Sequence, residues 1–297
     1  MRHTSVLLKE TITNLGLKKG DIYMDFTLGS AGHAQSVCSL GIPDLTIIGI
    51  DADNNAIQRS AKNLEHCEAH IILEKSNYKN FDDVLQKHHI KKVNAIVIDL
   101  GLSSEQLDVA RRGFSFRFDE PLLMTLNDAP TEHELTASII LNQFSEEALA
   151  NIIYAYGEES FARRIARAIV EYRSHTPIEL TSQLEEIVFK AIPKKFHSKK
   201  INPATKTFQA IRIAVNSELD VIKETLLKIP KFLQDNGRVA VISFHSLEDR
   251  IVKQTFKELE ERGQGIIITK KPILPSDEEI KSNPRARSAK LRIFQKI

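Results

Sequence analysis

Only two cysteines occur in the 297 residues, Cys38 and Cys67. Neither lies in a Cys-x-x-Cys pair, so the spacing of a zinc site is missing and a disulfide framework has no support. A reducing, cytoplasmic setting is expected. No apolar run approaches the roughly 20 residues needed to cross a bilayer; the longest, such as 45–50, are strand-sized. The opening MRHTSVLLKE has one arginine and no long apolar core, so a secretory signal is not expected. Internal repeats and low-complexity tracts are missing too. Charge of one sign is also lacking: 41 Lys and Arg against 39 Asp and Glu leave +2, which taken whole argues against a strongly basic nucleic-acid binder. The 42% hydrophobic and 27% charged residues describe an ordinary globular chain, one large domain or a domain carrying a second.

Short β-branched runs are present. Residues 21–26 (DIYMDF), 45–50 (LTIIGI), 69–73 (AHIIL) and 93–98 (VNAIVI) read as strands, separated by helical stretches at 34–40, 55–65 and 81–87. Near-continuous apolar strands alternating with helices predict a parallel, doubly wound α/β sheet. The next good strand is 238–244 (RVAVISF), with 138 residues between Asp99 and Arg238, where a βα unit needs about 30. The surplus reads as helical, with Ser145 and Thr181 as N-caps and Gly157 as a C-cap. The spacing predicts an inserted helical domain over 105–203, a sheet domain over 1–104 and 204–297, and one helix over 204–234 returning to the sheet. Strands at 265–269 and 291–295 close the chain.

The first strand ends in DFTLGSAGHA. Gly29 and Gly32 permit a tight turn close to a ligand. The second strand ends at Asp51, 22 residues past Gly29, where a carboxylate can accept both hydroxyls of a ribose. A nucleoside-containing cofactor at the C-terminal strand edge follows. The dinucleotide fingerprint GxGxxG is absent, while Asp25 precedes the glycines and suits a cationic amino-acid moiety. S-adenosylmethionine is therefore favoured over NAD on the residues alone. The plainer alternatives are a simple βα turn for the glycines and helix capping for Asp51. Asp99 ends the fourth strand facing the same crevice, in DLGLSSEQLD. The tetrapeptides DPPY and NPPF, which many amino-group methyltransferases carry there, are missing, so the residues alone do not fix the methyl acceptor.

Several segments in order, HTSVLLKE, DFTLGSAGHA, GIDAD, DLGLSSEQLD, RRGFSFRFDEPL, YGEESFARRIARAIV, NPATKTFQAIRIAVNSEL, GRVAVISFHSLEDRIVK and NPRARSAKLR, span nearly the whole chain. Together they resemble the MraW family, bacterial methyltransferases acting on N4 of a decoding-centre cytosine in 16S rRNA of the small ribosomal subunit. The resemblance implies a class I (Rossmann-like) methyltransferase sheet with an inserted helical substrate-recognition domain. It implies S-adenosylmethionine contacts at Ala31, Gly32 and His33, Asp51 on the ribose, Tyr78 beside the adenine, and Asp99 and Gln106 near the fourth strand, with no metal. Tyr78 stands where the family usually has Phe, which keeps an aromatic face. Glu120, Leu123 and Thr125 replace a Gly, an Asp and an Arg of the family pattern. They motivate the alternative reading, a catalytically silent RNA-binding or ribosome-assembly protein that keeps the fold.

Transfer to N4 requires the amino group to lie in line with the methyl and an acceptor for its hydrogens. Asp99 and His245 are the candidate catalytic groups; a helix-capping or core histidine is the alternative for His245. The charge is also unevenly spread. Residues 187–217 hold no acid but Lys190, Lys194, Lys195, Lys199, Lys200, Lys206 and Arg212; residues 280–297 hold no acid but Lys281, Arg285, Arg287, Lys290, Arg292 and Lys296. Lys199, Lys200, Lys206, Arg285, Arg287 and Lys290 are the RNA-binding candidates. Phe114, Phe116 and Phe118, interleaved with Arg111, Arg112 and Arg117, offer either base stacking or a half-buried strand. No membrane partner is expected, and a homodimer is left open.

Overall fold

The computed structural model describes residues 5–102, 111–131, 133–198 and 201–297. The chain divides into two compact units, Met1–Gly101 with Leu219–Ile297, and Leu102–Glu218.

The first unit is built on a seven-stranded sheet: β1 (Ile22–Asp25), β2 (Thr46–Asp51), β3 (His70–Lys75), β4 (Val93–Asp99), β5 (Leu233–Ser243), β6 (Gly265–Ile267) and β7 (Lys290–Lys296), in the order β3-β2-β1-β4-β5-β7-β6. The first five strands in that order pair in parallel; β7 runs antiparallel to β5 and β6 antiparallel to β7. This is the class I sheet the sequence predicts. Successive side chains of a strand face opposite sides. Met24, Ile48, Ile96, Ile98 and Val241 therefore enter one core with Phe81, Leu226, Ile229 and Phe256. Tyr23, Ile47, Ala95, Val97 and Ala240 enter the other with Leu15, Ala34, Val37 and Leu291. Both faces are covered by helices, which is why the strand sequences read as continuous apolar runs rather than alternating ones. The covering helices are α1 (Leu8–Leu15), α2 (Gly32–Cys38), α3 (Asn54–Asn63), α4 (Phe81–Lys87), and three discussed below. The strand order reverses between β1 and β4, whose C-terminal ends are Asp25 and Asp99; such a reversal is where open α/β sheets bind ligands.

Cys38 and Cys67 form a disulfide, with Cα atoms 5.7 Å apart. This corrects the expectation drawn from their spacing. The crossover through β2 brings the end of α2 beside the turn after α3, a proximity that a separation of 29 residues does not announce.

Among the described residues the second unit holds α5 (Ala137–Gln143), α6 (Glu146–Gly157), α7 (Ala162–Arg173), α8 (Thr181–Ala191) and α9 (Thr205–Asn216), packed on Leu149, Ile153, Ile165, Ile169, Leu184, Val188, Phe208 and Ile211. Ser145 caps α6 as expected, its side chain accepting from the Ala148 amide. Gly157 is not a cap: it is the last residue of α6, and Glu158 takes the left-handed conformation. A Cβ at Gly157 would lie 2.7 Å from the Lys206 carbonyl oxygen, so the glycine serves the close approach of α9. Thr181 is the first residue of α8 rather than its cap; its hydroxyl donates to the Phe118 carbonyl and accepts from the Glu120 amide.

The expected single helix over 204–234 is two, α9 and α10 (Glu218–Phe232), broken at Ser217 with φ 49°. Phe208 and Ile211 of α9 lie in the helical unit's core, so the boundary falls at Glu218 instead of residue 203. Arg212 straddles the break, its Nε and an Nη 2.8 and 2.7 Å from the two carboxylate oxygens of Glu218. Both side chains are largely buried, 15% and 9% exposed. Removing one partner leaves an uncompensated charge, so Arg212→Ala is expected to destabilise by about 3 kcal/mol. Urea unfolding checks this; the pair Arg212→Met with Glu218→Leu should recover most of the loss.

Candidate active site

The glycine loop between β1 and α2 is held by its neighbours. Gly29 has φ 54° and Ala31 φ 62°. A Cβ at Gly29 would meet only the Thr27 carbonyl oxygen, at 3.8 Å, so conformation rather than crowding selects glycine there. At Gly32 crowding decides: a Cβ would sit 1.9 Å from Ser5 Oγ, in the segment that leads into α1. From α3, Ser60 Oγ donates to the Gly29 carbonyl and Asn63 Nδ2 to the Ser30 carbonyl. Ala31 and His33 are buried.

Asp51, at the end of β2, takes the Gly29 amide on Oδ2 (2.8 Å) and the Asp53 amide on Oδ1 (2.9 Å). The α3 N-cap is Asp53, not Asp51. Burial raises the Asp51 pKa, partly countered by those two amides. Each carboxylate oxygen keeps a further lone pair for a ligand. Tyr78 opens a short 3₁₀ turn after β3 and stacks on Phe26, ring centroids 6.4 Å apart and 19° between planes.

Asp25 is 1% exposed. Its carboxylate accepts from the Thr27 amide and from the Tyr23 hydroxyl, both at 3.1 Å. Burial pushes the Asp25 carboxyl up to about 7, against those two hydrogen bonds, and the charge of Asp51 adds to the rise. Asp99 donates its amide to Thr27 Oγ1 at 2.7 Å, while its Oδ1 is buried with no hydrogen-bond partner. Burial, then Asp25, then Glu248, push the Asp99 carboxyl well above its ordinary range. The ends of β1, β2 and β4 thus bring together acids that repel one another out of water. Such a group is stabilised by a ligand that carries positive charge and hydrogen-bond donors.

His245 stands at the N-cap of α11 (Ser246–Glu261), its Nδ1 accepting from the Glu248 amide at 3.4 Å. Glu248 turns back, Oε2 accepting from the Phe244 and His245 amides. The structure thus supplies the helix-capping role for His245. Sequence reasoning passes over Thr27, Tyr23 and Glu248. The His-x-x-Glu spacing at the head of a helix is a capping-box pattern that signals Glu248; nothing local signals Thr27, whose hydroxyl is matched to β4 only by the parallel pairing. Gln106 lies outside the described residues.

The basic candidates separate. Lys199 and Lys200 lie outside the described residues. Lys206 Nζ donates to the Glu158 carbonyl at 2.9 Å. Arg285 and Arg287 are exposed on a 3₁₀ turn, Pro284–Ser288, that follows α12 (Asp277–Ser282). Lys290 pairs with Asp249 at 3.2 Å, beside the buried Arg292 at 2.6 Å. Burial alone would raise the Asp249 pKa; the hydrogen bonds from Arg292 and Lys290 bring it below the ordinary value. Lys296 pairs with Asp235. Much of the C-terminal positive charge is therefore spent inside the fold. In the helical unit Arg112 is buried, 5.5 Å over the Phe114 ring and donating to the Leu126 carbonyl, and Phe116 packs edge-on against Phe208. Of the three phenylalanines only Phe118 is exposed. Two of the three departures from the family pattern are also internal: Glu120 is buried and accepts from the Gly113 amide, and the buried Thr125 donates through Oγ1 to the Asn127 carbonyl. Leu123 hydrogen-bonds through its backbone amide to the Pro121 carbonyl.

Among the described residues no helix is long and apolar enough to cross a membrane. The chain is 46% identical over 297 residues to a protein of Sulfurihydrogenibium sp. (strain YO3AOP1) named ribosomal RNA small subunit methyltransferase H, covering 100% of both. It is 45% identical over 311 residues to a protein of the same name from Clostridium botulinum (strain Kyoto / Type A2), covering 100% of this chain and 99% of that one. The crystal structure of an rRNA methylase from Streptococcus thermophilus is a looser match, with 11% identity, a TM-score of 0.45, and 98% and 95% of the two chains covered. Residues 1–297 match the MraW methylase family, and the chain belongs to that family.

Proposed function

We propose that this chain transfers a methyl group from S-adenosylmethionine to the N4 amino group of a decoding-centre cytosine in 16S rRNA of the small ribosomal subunit, a cytoplasmic task. Family membership supports methyl transfer, and the relatives' name supports the ribosomal substrate. The observation that carries the donor site is the buried acid group at the strand ends, with Asp99 Oδ1 unsatisfied. It fits a cationic, ribose-bearing donor.

S-adenosylmethionine, when bound, supplies an activated methyl group. The loop residues Ala31, Gly32 and His33 hold it beside β1. Asp51 accepts the ribose hydroxyls on the lone pairs left free by Gly29 and Asp53, Tyr78 covers the adenine, and Gln106 belongs to the same set by family resemblance. Asp25 would balance the charge of the cationic end. Asp99 Oδ1, ionised beside a cationic donor, would accept a hydrogen bond from the N4 amino group, turn its nitrogen toward the methyl, and take the proton that N4 loses as the new N–C bond replaces the donor's S–C bond; proximity and orientation supply much of the rate. His245 keeps the head of α11 in place and is a positioning residue. The helical unit would carry substrate recognition, with Lys199, Lys200 and Lys206 as its candidate phosphate contacts by sequence; Arg285 and Arg287 would supply cations from the sheet unit.

The test is methyl transfer from radiolabelled donor to small subunits from a strain lacking the activity, with the modified base mapped by mass spectrometry. Label on cytosine N4 is expected. No label in cytosine with donor binding intact would sink the enzyme reading; label on another base would replace the acceptor.

A further inference from the structure

The helical unit carries an exposed aromatic cluster that none of the donor-site roles uses. After α8 the chain makes a 3₁₀ turn, Lys194–Phe196. Phe196 is 56% exposed and its ring centroid lies 5.0 Å from that of Phe161. Next in the chain, His197 lies 4.4 Å from the ring of Phe189, itself 48% exposed, and is anchored by Nε2 at 2.9 Å from the Ile192 carbonyl oxygen. Lys195 Nζ stands 5.1 Å over the Phe196 ring, and Lys194 is exposed beside it. Lys190, one turn back on α8, is ion-paired with Glu186. Two exposed phenylalanines are thus fixed by ring partners rather than left to swing freely, and the turn between them carries cations.

Single exposed apolar side chains are ordinary, but apolar groups that lie together and are rimmed by charge mark interaction sites. The sequence over 187–217 has no acidic residue. A second copy of the same surface would set like charges against like, and an apolar helix would leave the ammonium groups without counter-charge. A flat ring with a cation beside it matches an unpaired nucleotide, the base on the ring and the next phosphate on the lysine.

We infer that Phe189 and Phe196, with Lys194 and Lys195, form a stacking platform for unpaired RNA on the helical unit. This rests on the proposed RNA substrate and adds a binding surface outside the donor site.

The test is fluorescence anisotropy of the full chain with a labelled, unstructured single-stranded RNA of about 12 nucleotides, alongside calorimetry with S-adenosylmethionine. Phe189→Ala and Phe196→Ala are each expected to weaken RNA binding about tenfold, Phe196→Tyr to restore it, and donor affinity to stay unchanged. Lys194→Gln with Lys195→Gln should reduce the salt slope by roughly 0.7 for each phosphate that is no longer neutralised. The rings are exposed, so the variants should melt as the parent does. RNA binding by both alanine variants equal to the parent overturns the platform, as does a parent dimer that Phe196→Ala converts to monomer. If the parent itself binds no RNA, and labels no base in small subunits, the proposed substrate fails as well.

Discussion

Replacing Asp51 by alanine is expected to weaken S-adenosylmethionine binding by about a hundredfold, the scale of losing charge-assisted hydrogen bonds to two hydroxyls. Two effects add. The carboxylate is the proposed ribose acceptor, and it also ties the Gly29 amide to the Asp53 amide across the ends of β1 and β2. A control separates them: Ser60→Ala removes a hydroxyl that braces the Gly29 carbonyl from α3 without adding or removing a group that touches the ligand, and should change affinity by no more than about threefold. Calorimetry reads both. Unchanged affinity in Asp51→Ala would remove Asp51 from the ribose role, and equal losses in the two variants would assign the effect to the loop alone.

The second large effect concerns Asp25 and pH. Its carboxyl is raised from 3.8 to about 7 in the folded protein, chiefly by burial. Below about pH 4 it is protonated folded or unfolded. As the pH rises the unfolded chain ionises first, so the stability tied to the buried proton declines and is gone once the pH passes 7. The loss is on the order of 4 kcal/mol. Asp25→Asn cannot ionise, so urea unfolding of the variant should escape this decline and exceed the parent above pH 7. Donor binding should move the opposite way. A cationic ligand favours ionised Asp25, so parent affinity should fall below pH 7 by up to tenfold per pH unit, on the order of linkage for one proton. Asp25→Asn should bind weakly with little pH dependence. Parallel stability curves for parent and variant would show that Asp25 ionises freely in the fold.

Most of the sheet can be read from the sequence because a strand covered on both faces has to be apolar along its length; 93–98 (VNAIVI) has no other use in a globular chain. Asp51 and Asp99 are visible for a related reason, being the polar residues that end such runs. The helical boundary is less legible. Ser217 takes a left-handed conformation without glycine or proline to announce it, and the helical pattern runs on through it, so the break shows only in the packing of Phe208 and Ile211. The basic segments mislead in another way. Composition counts Arg212, Lys290, Arg292 and Lys296 as free charge, but their carboxylate partners Glu218, Asp249 and Asp235 come from outside the two segments. The spacing of Cys38 and Cys67 does not carry their pairing, because spacing cannot see across a crossover. The buried acids beside Asp99 follow from strand order, which no local pattern contains.

The placement of the helical unit has a consequence for synthesis. β4 lies in the middle of the finished sheet, between β1 and β5, yet β5 begins only at Leu233. A ribosome making this chain completes β4 and then the whole helical unit before the strand that covers β4's open edge exists. At ordinary elongation rates that interval is on the order of ten seconds. For that time the half-sheet β3-β2-β1-β4 has a bare hydrogen-bonding edge of the kind that pairs with other chains. The nascent protein is thus most exposed to aggregation midway through translation, and the rate at which the insert is read, more than its stability, sets how long that exposure lasts.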